Sequence, residues 1–414
     1  MRRSRLVPGA WLPVAVATSI TLSACSDIPH PTAPSDATTP VLRMQRSAQD
    51  VFARYVALGT SNSMGVQSAG IYAAAQQQAW PAQLAARAGA VFSLPLIQDP
   101  GCGPPLQPPL ASDLLLLGAF SAFGAGGDLV TALQSVCMPL QDGILPGRNN
   151  LAISGANAHD ALNSTPESEA ALNARRGELY SRVLPPGMTQ VTAMLAQNPT
   201  FVSVELAANE VLPATTGRTS AMTPFNDWTA DYDQIIASVK STGARAVLVG
   251  LPANAANFPS VRRAREIWNQ WPYLLGLGIS VSSNCYFSSN YIFLPGYLLK
   301  LMASAPTTAT CSDIPGAVDY VLTPSEMNAI NSLMSQMNSH IQSKAHDNGY
   351  AYFTLGALYD LSKPSLDLAS VLFSNTPFGP NISLDGVHPS GTGQGILAST
   401  AVQAINGKYK LGIR

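Results

Sequence analysis

Five short runs of mostly apolar residues recur along this chain, and they constrain its fold more than any other feature. They are Tyr55-Val56-Ala57-Leu58, Leu151-Ala152-Ile153, Phe201-Val202-Ser203-Val204-Glu205-Leu206, Ala246-Val247-Leu248-Val249-Gly250 and Tyr350 to Leu355. Each is short for a helix, and none alternates cleanly with polar residues as a strand wetted on one face would. Such runs read as strands buried on both faces. Helical stretches separate them: Ala69 to Ala88, with a break or new start at Trp80-Pro81; a polar amphipathic helix over Glu167 to Val183; Trp228 to Ser241; and Gly395 to Ile405, ended by Asn406-Gly407. Thr323-Pro324-Ser325-Glu326 has the pattern of a capping box with proline at the first helical position. After it Met327, Ile330, Met334, Met337 and Ile341 recur at helical spacing, a stripe that reads as core. Buried strands alternating with helices predict an α/β protein with a parallel sheet covered on both faces. In such sheets ligands bind beyond the carboxyl ends of the strands. Ser61, Gly155 and Asn209 each follow a strand, so this reading brings all three to one edge.

The hydrophobic share of 46% is enough for a substantial core, and 414 residues fit one large domain or two smaller ones. A net charge of -1 argues against nucleic acid as a partner, because phosphate binding relies on Lys and Arg. Charged residues make up only 11%, against about 25% in ordinary domains, so Gly, Pro, Ser, Thr and Asn cover much of the surface. That suits a loop-rich envelope protein. Residues 94–147 are rich in Pro and Gly and read as a loop-rich insertion, with helices near Ser112–Leu117 and Gly127–Ser135.

The N-terminus is more informative. Arg2, Arg3 and Arg5 precede an apolar stretch from Leu6 to Ile20 that is short and interrupted by Pro8 and Pro13, the pattern of a cleaved signal. Leu22-Ser23-Ala24-Cys25 resembles a bacterial lipobox. The resemblance implies a lipoprotein signal peptide over residues 1–24, cleavage before Cys25 and acylation of its thiol; a plain secretory signal is the alternative. Ser26 after the cysteine favours, by analogy, the outer membrane of the cell envelope. Residues 25–41 read as a flexible Pro/Thr/Ala/Ser tether, leaving 42–414 as the folded domain. Of the four remaining cysteines, proximity favours the pairs Cys102–Cys137 and Cys285–Cys311, with two other connectivities open. No Cys or His cluster marks a metal site.

Two separated blocks suggest chemistry. Asp385-Gly386-Val387-His388-Pro389 puts a carboxylate and an imidazole three positions apart, and Gly59-Thr60-Ser61-Asn62-Ser63 supplies hydroxyls at the other end of the chain. A hydrolase that attacks esters needs a nucleophile, a base and a carboxylate to orient the base. With Asn150-Leu151-Ala152-Ile153-Ser154-Gly155-Ala156 and Ala207-Ala208-Asn209-Glu210 between them, these blocks resemble, in order, those of the SGNH or GDSL-type hydrolases. The resemblance implies a three-layer α/β/α fold of flavodoxin-like kind. It also implies Ser61 as nucleophile, His388 as base, Asp385 as its orienter, and the Ser61 and Gly155 N–H groups with the Asn209 amide as oxyanion hole. No metal or organic cofactor is called for. The chain departs from the family pattern at Thr60, where Asp is usual, at Ala207, where Gly is usual, and at Glu210, where Asp is usual.

Other readings stay open. Ser61 could be a turn or capping residue, and Ser63 the nucleophile. Asp385 could serve only the turn, Gly155 only an unusual backbone angle, and Asn209 only a helix cap. The remaining histidines, His159, His340 and His346 among them, have no partner of the Ser–His–Asp kind. The function expected is an envelope esterase or lipase working through an acyl-enzyme on a small-molecule or lipid ester. A carbohydrate O-deacetylase and a non-catalytic binding lipoprotein on the same scaffold are the rivals. The apolar stretch Leu114 to Phe123 hints at an acyl chain near the site, or is core.

Overall fold

The computed structural model describes residues 47–112, 137–143, 148–303, 307–361 and 363–414. The leader, Cys25, the tether, the stretch Leu114 to Phe123 and the two helices expected in the first insertion (Ser112 apart) lie outside them. Among the described residues the strands, in chain order, are β1 (Tyr55–Gly59), β2 (Phe201–Glu205), β3 (Arg245–Gly250), β4 (Val261–Arg263), β5 (Ile279–Val281), β6 (Tyr291–Phe293), β7 (Thr307–Ala309), β8 (Val321–Leu322) and β9 (Ala351–Thr354).

The central sheet has the order β1-β2-β3-β9 and is parallel throughout, with Ala57 opposite Ser203, Ser203 opposite Val247 and Val247 opposite Ala351. A fifth segment runs beside β1 on its other side. Asn150 bridges Ala57 in parallel, and the N–H groups of Leu151 and Ile153 donate to the carbonyls of Ala57 and Gly59 at 2.9 and 3.0 Å. Counting that segment, the sheet reads 2-1-3-4-5 in chain order, the flavodoxin-like arrangement, with its topological switch point beside β1.

Alternate residues of the strands face opposite layers. Tyr55, Ala57, Phe201, Val247, Val249 and Phe353 pack with Trp80, Leu84, Leu397 and Ala401 from the helices Trp80–Arg87 and Gly391–Tyr409. Val56, Leu58, Val202, Val204 and Leu248 pack with the helices Gln190–Ala196, Phe225–Ser241 and Pro324–Asp347 on the other side. The fold is therefore α/β, three layers with a parallel sheet in the middle. The stripe Met327, Ile330, Met334, Met337 and Ile341 is buried, and Thr323 caps its helix through the expected box with Glu326.

Several boundaries differ from the sequence reading. The helix expected from Ala69 begins only at Ala73, because residues 67–70 form a turn in which Ser68 and Ala69 hold positive φ, 53° and 60°. The stretch Glu167 to Val183 is two helices, Pro166–Leu172 and Ala174–Val183. Asn173 adopts an extended backbone between them, and its side chain accepts from the N–H groups of Arg175 and Arg176, capping the second helix. The final helix runs through Asn406-Gly407 to Tyr409 and ends at Lys410, whose φ is 57°. Asn406 stays helical while its side chain bonds both backbone polar groups of Ile413.

Both cysteine pairs form as proximity suggested, Cys102–Cys137 and Cys285–Cys311. The second fastens an excursion that the sequence reading did not delimit, between β3 and the helix Pro324–Asp347. It holds an antiparallel sheet in the order β4-β6-β8 and the parallel pair β5-β7. Among the described residues no helix is long and apolar enough to cross a membrane.

Candidate active site

The turn after β1 is built so that glycine is required at its start. A Cβ on Gly59 would lie 2.6 Å from the Cβ and hydroxyl of Ser63. The chain then enters a single helical turn, Ser61–Met64, closed by Gly65 at φ 90°. Glu205, the last residue of β2, sits beneath it, fully buried. Its carboxyl accepts from the Thr60 N–H at 3.1 Å, the Thr60 hydroxyl at 2.9 Å and the Ser63 hydroxyl at 3.0 Å. Burial pushes the Glu205 carboxyl up, and these donors offset part of the rise. The departure at residue 60 thereby has a physical account: threonine donates to a buried carboxylate where an aspartate would repel it. Ser63 also accepts from the Trp80 indole at 3.1 Å and is wholly buried, so its hydroxyl is committed to the scaffold. Asn150 and Gln394 clamp the same turn through the carbonyls of Ser63 and Asn62.

Asp385 and His388 come together as the three-residue spacing suggested. His388 Nδ1 lies 2.8 Å from Asp385 Oδ2, and the Asp385 carboxylate also accepts from the N–H groups of Val387 and His388 at 2.9 and 2.8 Å. A fourth donor is the Ala69 N–H at 2.6 Å, supplied by the left-handed turn at Ser68 and Ala69. Non-glycine residues in that region carry strain of about 1–2 kcal/mol each, and here it aims an N–H at the acid of the pair. Burial alone would raise the Asp385 carboxyl; the adjacent imidazole and the backbone donors outweigh it and hold the group below its ordinary range. Gly386, at φ 73°, makes the turn between the two residues, and its missing Cβ leaves room for Phe378 and Ser260. The fully buried Tyr359 donates to the Val387 carbonyl at 2.6 Å and fixes the loop from below.

Ser61 and His388 line the same two cavities, one small and apolar and one a larger open cleft, and Asn209 lines both as well. The Ser61 hydroxyl makes no hydrogen bond to the imidazole in this unliganded geometry, which commonly tightens only when substrate binds. Gly155 and Asp385 border the open cleft. Gly155 holds φ 78°, so a side chain there would be strained. A Cβ would meet only Arg176, at 3.8 Å. Asn209 donates one amide N–H to the Ala156 carbonyl at 2.7 Å, which ties the two blocks together and leaves the other N–H available. Ala207 adopts φ −159° and ψ −18°, outside the positive-φ region that would call for glycine, so alanine is accommodated where the family usually has glycine. Glu210 is buried and accepts from the Ala158 N–H at 2.7 Å, while its second oxygen has no hydrogen-bond partner among the described residues. Burial pushes its carboxyl up to about 7.

Other histidines also have carboxylate neighbours. His340 Nε2 lies 2.7 Å from Asp233, and His159 Nδ1 lies 3.2 Å from Asp231. Neither histidine lines a cavity with a serine nucleophile beside it. Asp160 caps its own helix through Asn157 and pairs with Arg176. Among the described residues no group of metal-ligating side chains converges. Glu205, Tyr359 and the Ser68-Ala69 turn join the site without having stood out in the sequence, as does Ser383, whose hydroxyl donates to the Asp385 carboxylate at 3.2 Å. A carboxylate closing an otherwise apolar strand is the one signal among them that a sequence carries.

The model of the GDSL-like lipase/acylhydrolase family matches residues 55–400. The chain belongs to that family. As a member it is a carboxylic ester hydrolase. Solved structures resembling it include an acetyl-xylooligosaccharide esterase mutant from Geobacillus, at 10% identity and TM-score 0.35, covering 86% of this chain and 94% of that one. An extracellular lipase from Streptomyces rimosus is 13% identical with TM-score 0.33, over 86% and 98% of the two chains. A phospholipase A1 from Streptomyces albidoflavus is 16% identical with TM-score 0.34, also over 86% and 98%. No curated protein matches the chain in sequence.

Proposed function

We propose that this GDSL hydrolase cleaves esters through an acyl-enzyme on Ser61. His388 takes the hydroxyl proton as Ser61 attacks the carbonyl, and Asp385 orients the imidazole and stabilises its charged form. The N–H groups of Ser61 and Gly155 and the spare amide N–H of Asn209 receive the developing oxyanion. His388 passes its proton to the departing alcohol and then activates the water that frees the acid. The observation that carries this reading is the Asp385–His388 pair, 2.8 Å between carboxylate and ring nitrogen, bordering a cavity that Ser61 also lines. Ser63 is a poorer nucleophile candidate because its hydroxyl is buried between Glu205 and Trp80. The test is Ser61→Ala with a short activated ester: hydrolysis falls by at least about 10³-fold with the fold retained, and near-normal turnover rejects the assignment.

The same proposal places the enzyme at the cell envelope, tethered through an acylated Cys25. What supports it is the Leu22-Ser23-Ala24-Cys25 ending and the Pro/Thr/Ala/Ser stretch that follows. Incorporation of labelled fatty acid by the full chain, abolished in Cys25→Ala, is the expected result; equal labelling of both removes the tether.

A further inference from the structure

Beside Ser61 and His388 a small apolar cavity of about 60 Å³ adjoins a larger, more polar cleft of about 380 Å³. Its floor is the carboxyl edge of the sheet, with Leu251 following β3 and Leu355 following β9. One wall is the stripe Met327, Ile330 and Met334; the opposite wall comes from the small antiparallel sheet through Val261, Phe293 and Leu322. Only the end at Ser61, Asn209 and His388 is richly polar. The open cleft contrasts with it, bordered by Asn173, Arg175, Arg176 and Arg218. The site therefore has a dry side and a wet side, meeting at the serine.

We propose that the dry cavity takes the hydrocarbon chain of the acyl group while the arginine-bordered cleft receives the alcohol. This rests on the serine-esterase reading and deepens it by naming the substrate class: esters of short to medium linear fatty acids. Length and volume give different limits, and volume decides. From β1 to β9 the floor spans three strand spacings, roughly 14 Å, which would admit a long chain. An apolar cavity of about 150 Å³ takes a six-carbon ring, so the smaller volume of about 60 Å³ here limits the chain to a few carbons beyond the carbonyl. The preferred acyl chain is accordingly short, about four to six carbons. A site built for acetyl groups has no use for this void. A fully extended palmitoyl chain does not fit it.

The experiment is the ratio of kcat/KM values across 4-nitrophenyl esters from acetate to palmitate, measured on the full chain. Each methylene moved from water into the cavity raises kcat/KM about fourfold, so hexanoate exceeds acetate by at least about tenfold and palmitate falls below hexanoate. Met334→Trp fills the cavity and lowers the hexanoate-to-acetate ratio by about tenfold or more. Ile330→Ala, which enlarges it, moves the maximum to longer chains and serves if the tryptophan variant does not fold. A profile highest at acetate, or a ratio that neither variant moves, overturns the acyl assignment. If Ser61→Ala abolishes acetate hydrolysis in that case, the esterase reading survives alone; if Ser61→Ala still hydrolyses acetate, that reading is what fails.

Discussion

Two buried glutamates, five residues apart, hold the two halves of the site in different ways. Under the serine turn, Glu205 receives three donors from Thr60 and Ser63, and none of its oxygens is orphaned. Under the oxyanion shelf, Glu210 receives the Ala158 N–H on one oxygen and, among the described residues, no hydrogen-bond partner on the other. The nucleophile is thus fixed by a saturated network. The shelf carrying Gly155 and Asn209 rests on a half-satisfied carboxyl that burial keeps protonated to about pH 7. Burial raises both carboxyls, and the donors each one receives decide how much of the rise is offset.

The strongest way to break the comparison is Glu205→Ala. It leaves the Thr60 hydroxyl and N–H and the Ser63 hydroxyl without their acceptor, so stability falls by on the order of 3–5 kcal/mol in denaturant titration. A loss below about 1 kcal/mol would show that the network is not what holds the turn. Next comes Asn209→Ala, which removes an oxyanion donor and the bond to Ala156. Turnover drops by about 10²–10³, read as kcat at little-changed KM, with the fold intact by circular dichroism. The smallest effect sharpens the contrast. Glu210 has its carboxyl raised in the folded state, so the folded protein holds a proton that the unfolded chain releases earlier. Stability is then full below the unfolded value and declines as pH rises towards about 7. Glu210→Gln keeps an acceptor for Ala158 and removes that decline, gaining on the order of 1–3 kcal/mol over the parent at pH 8 and little at pH 4. Parallel stability–pH curves for the two proteins would contradict the assignment.

Much of this was legible in the chain because the relevant forces act locally or uniformly. The five strands announce themselves since a strand buried on both faces must be apolar at nearly every position, and the capping box at Thr323 is a local hydrogen-bond pattern. The Asp385–His388 spacing needs only one turn to bring the groups together. The excursion between β3 and the helix Pro324–Asp347 was opaque because strands of two or three residues, such as Val321–Leu322, carry no period. Asn173 splits a helix by capping the second half with its own side chain, a choice that amphipathic patterning over Glu167 to Val183 conceals. The donors to Asp385 from Ala69 and to Glu205 from Thr60 join residues 316 and 145 positions apart, and only tertiary structure reveals such partners. The cavity lining was half visible: the stripe Met327, Ile330 and Met334 reads as core, which it is, and the void it borders has no signature in sequence.

The most direct measurement is mass-spectrometric mapping of a fluorophosphonate adduct on the folded protein. The account predicts one modified residue, Ser61, with modification slowed strongly in His388→Ala. Modification at Ser63, or equal rates with and without the imidazole, would contradict it.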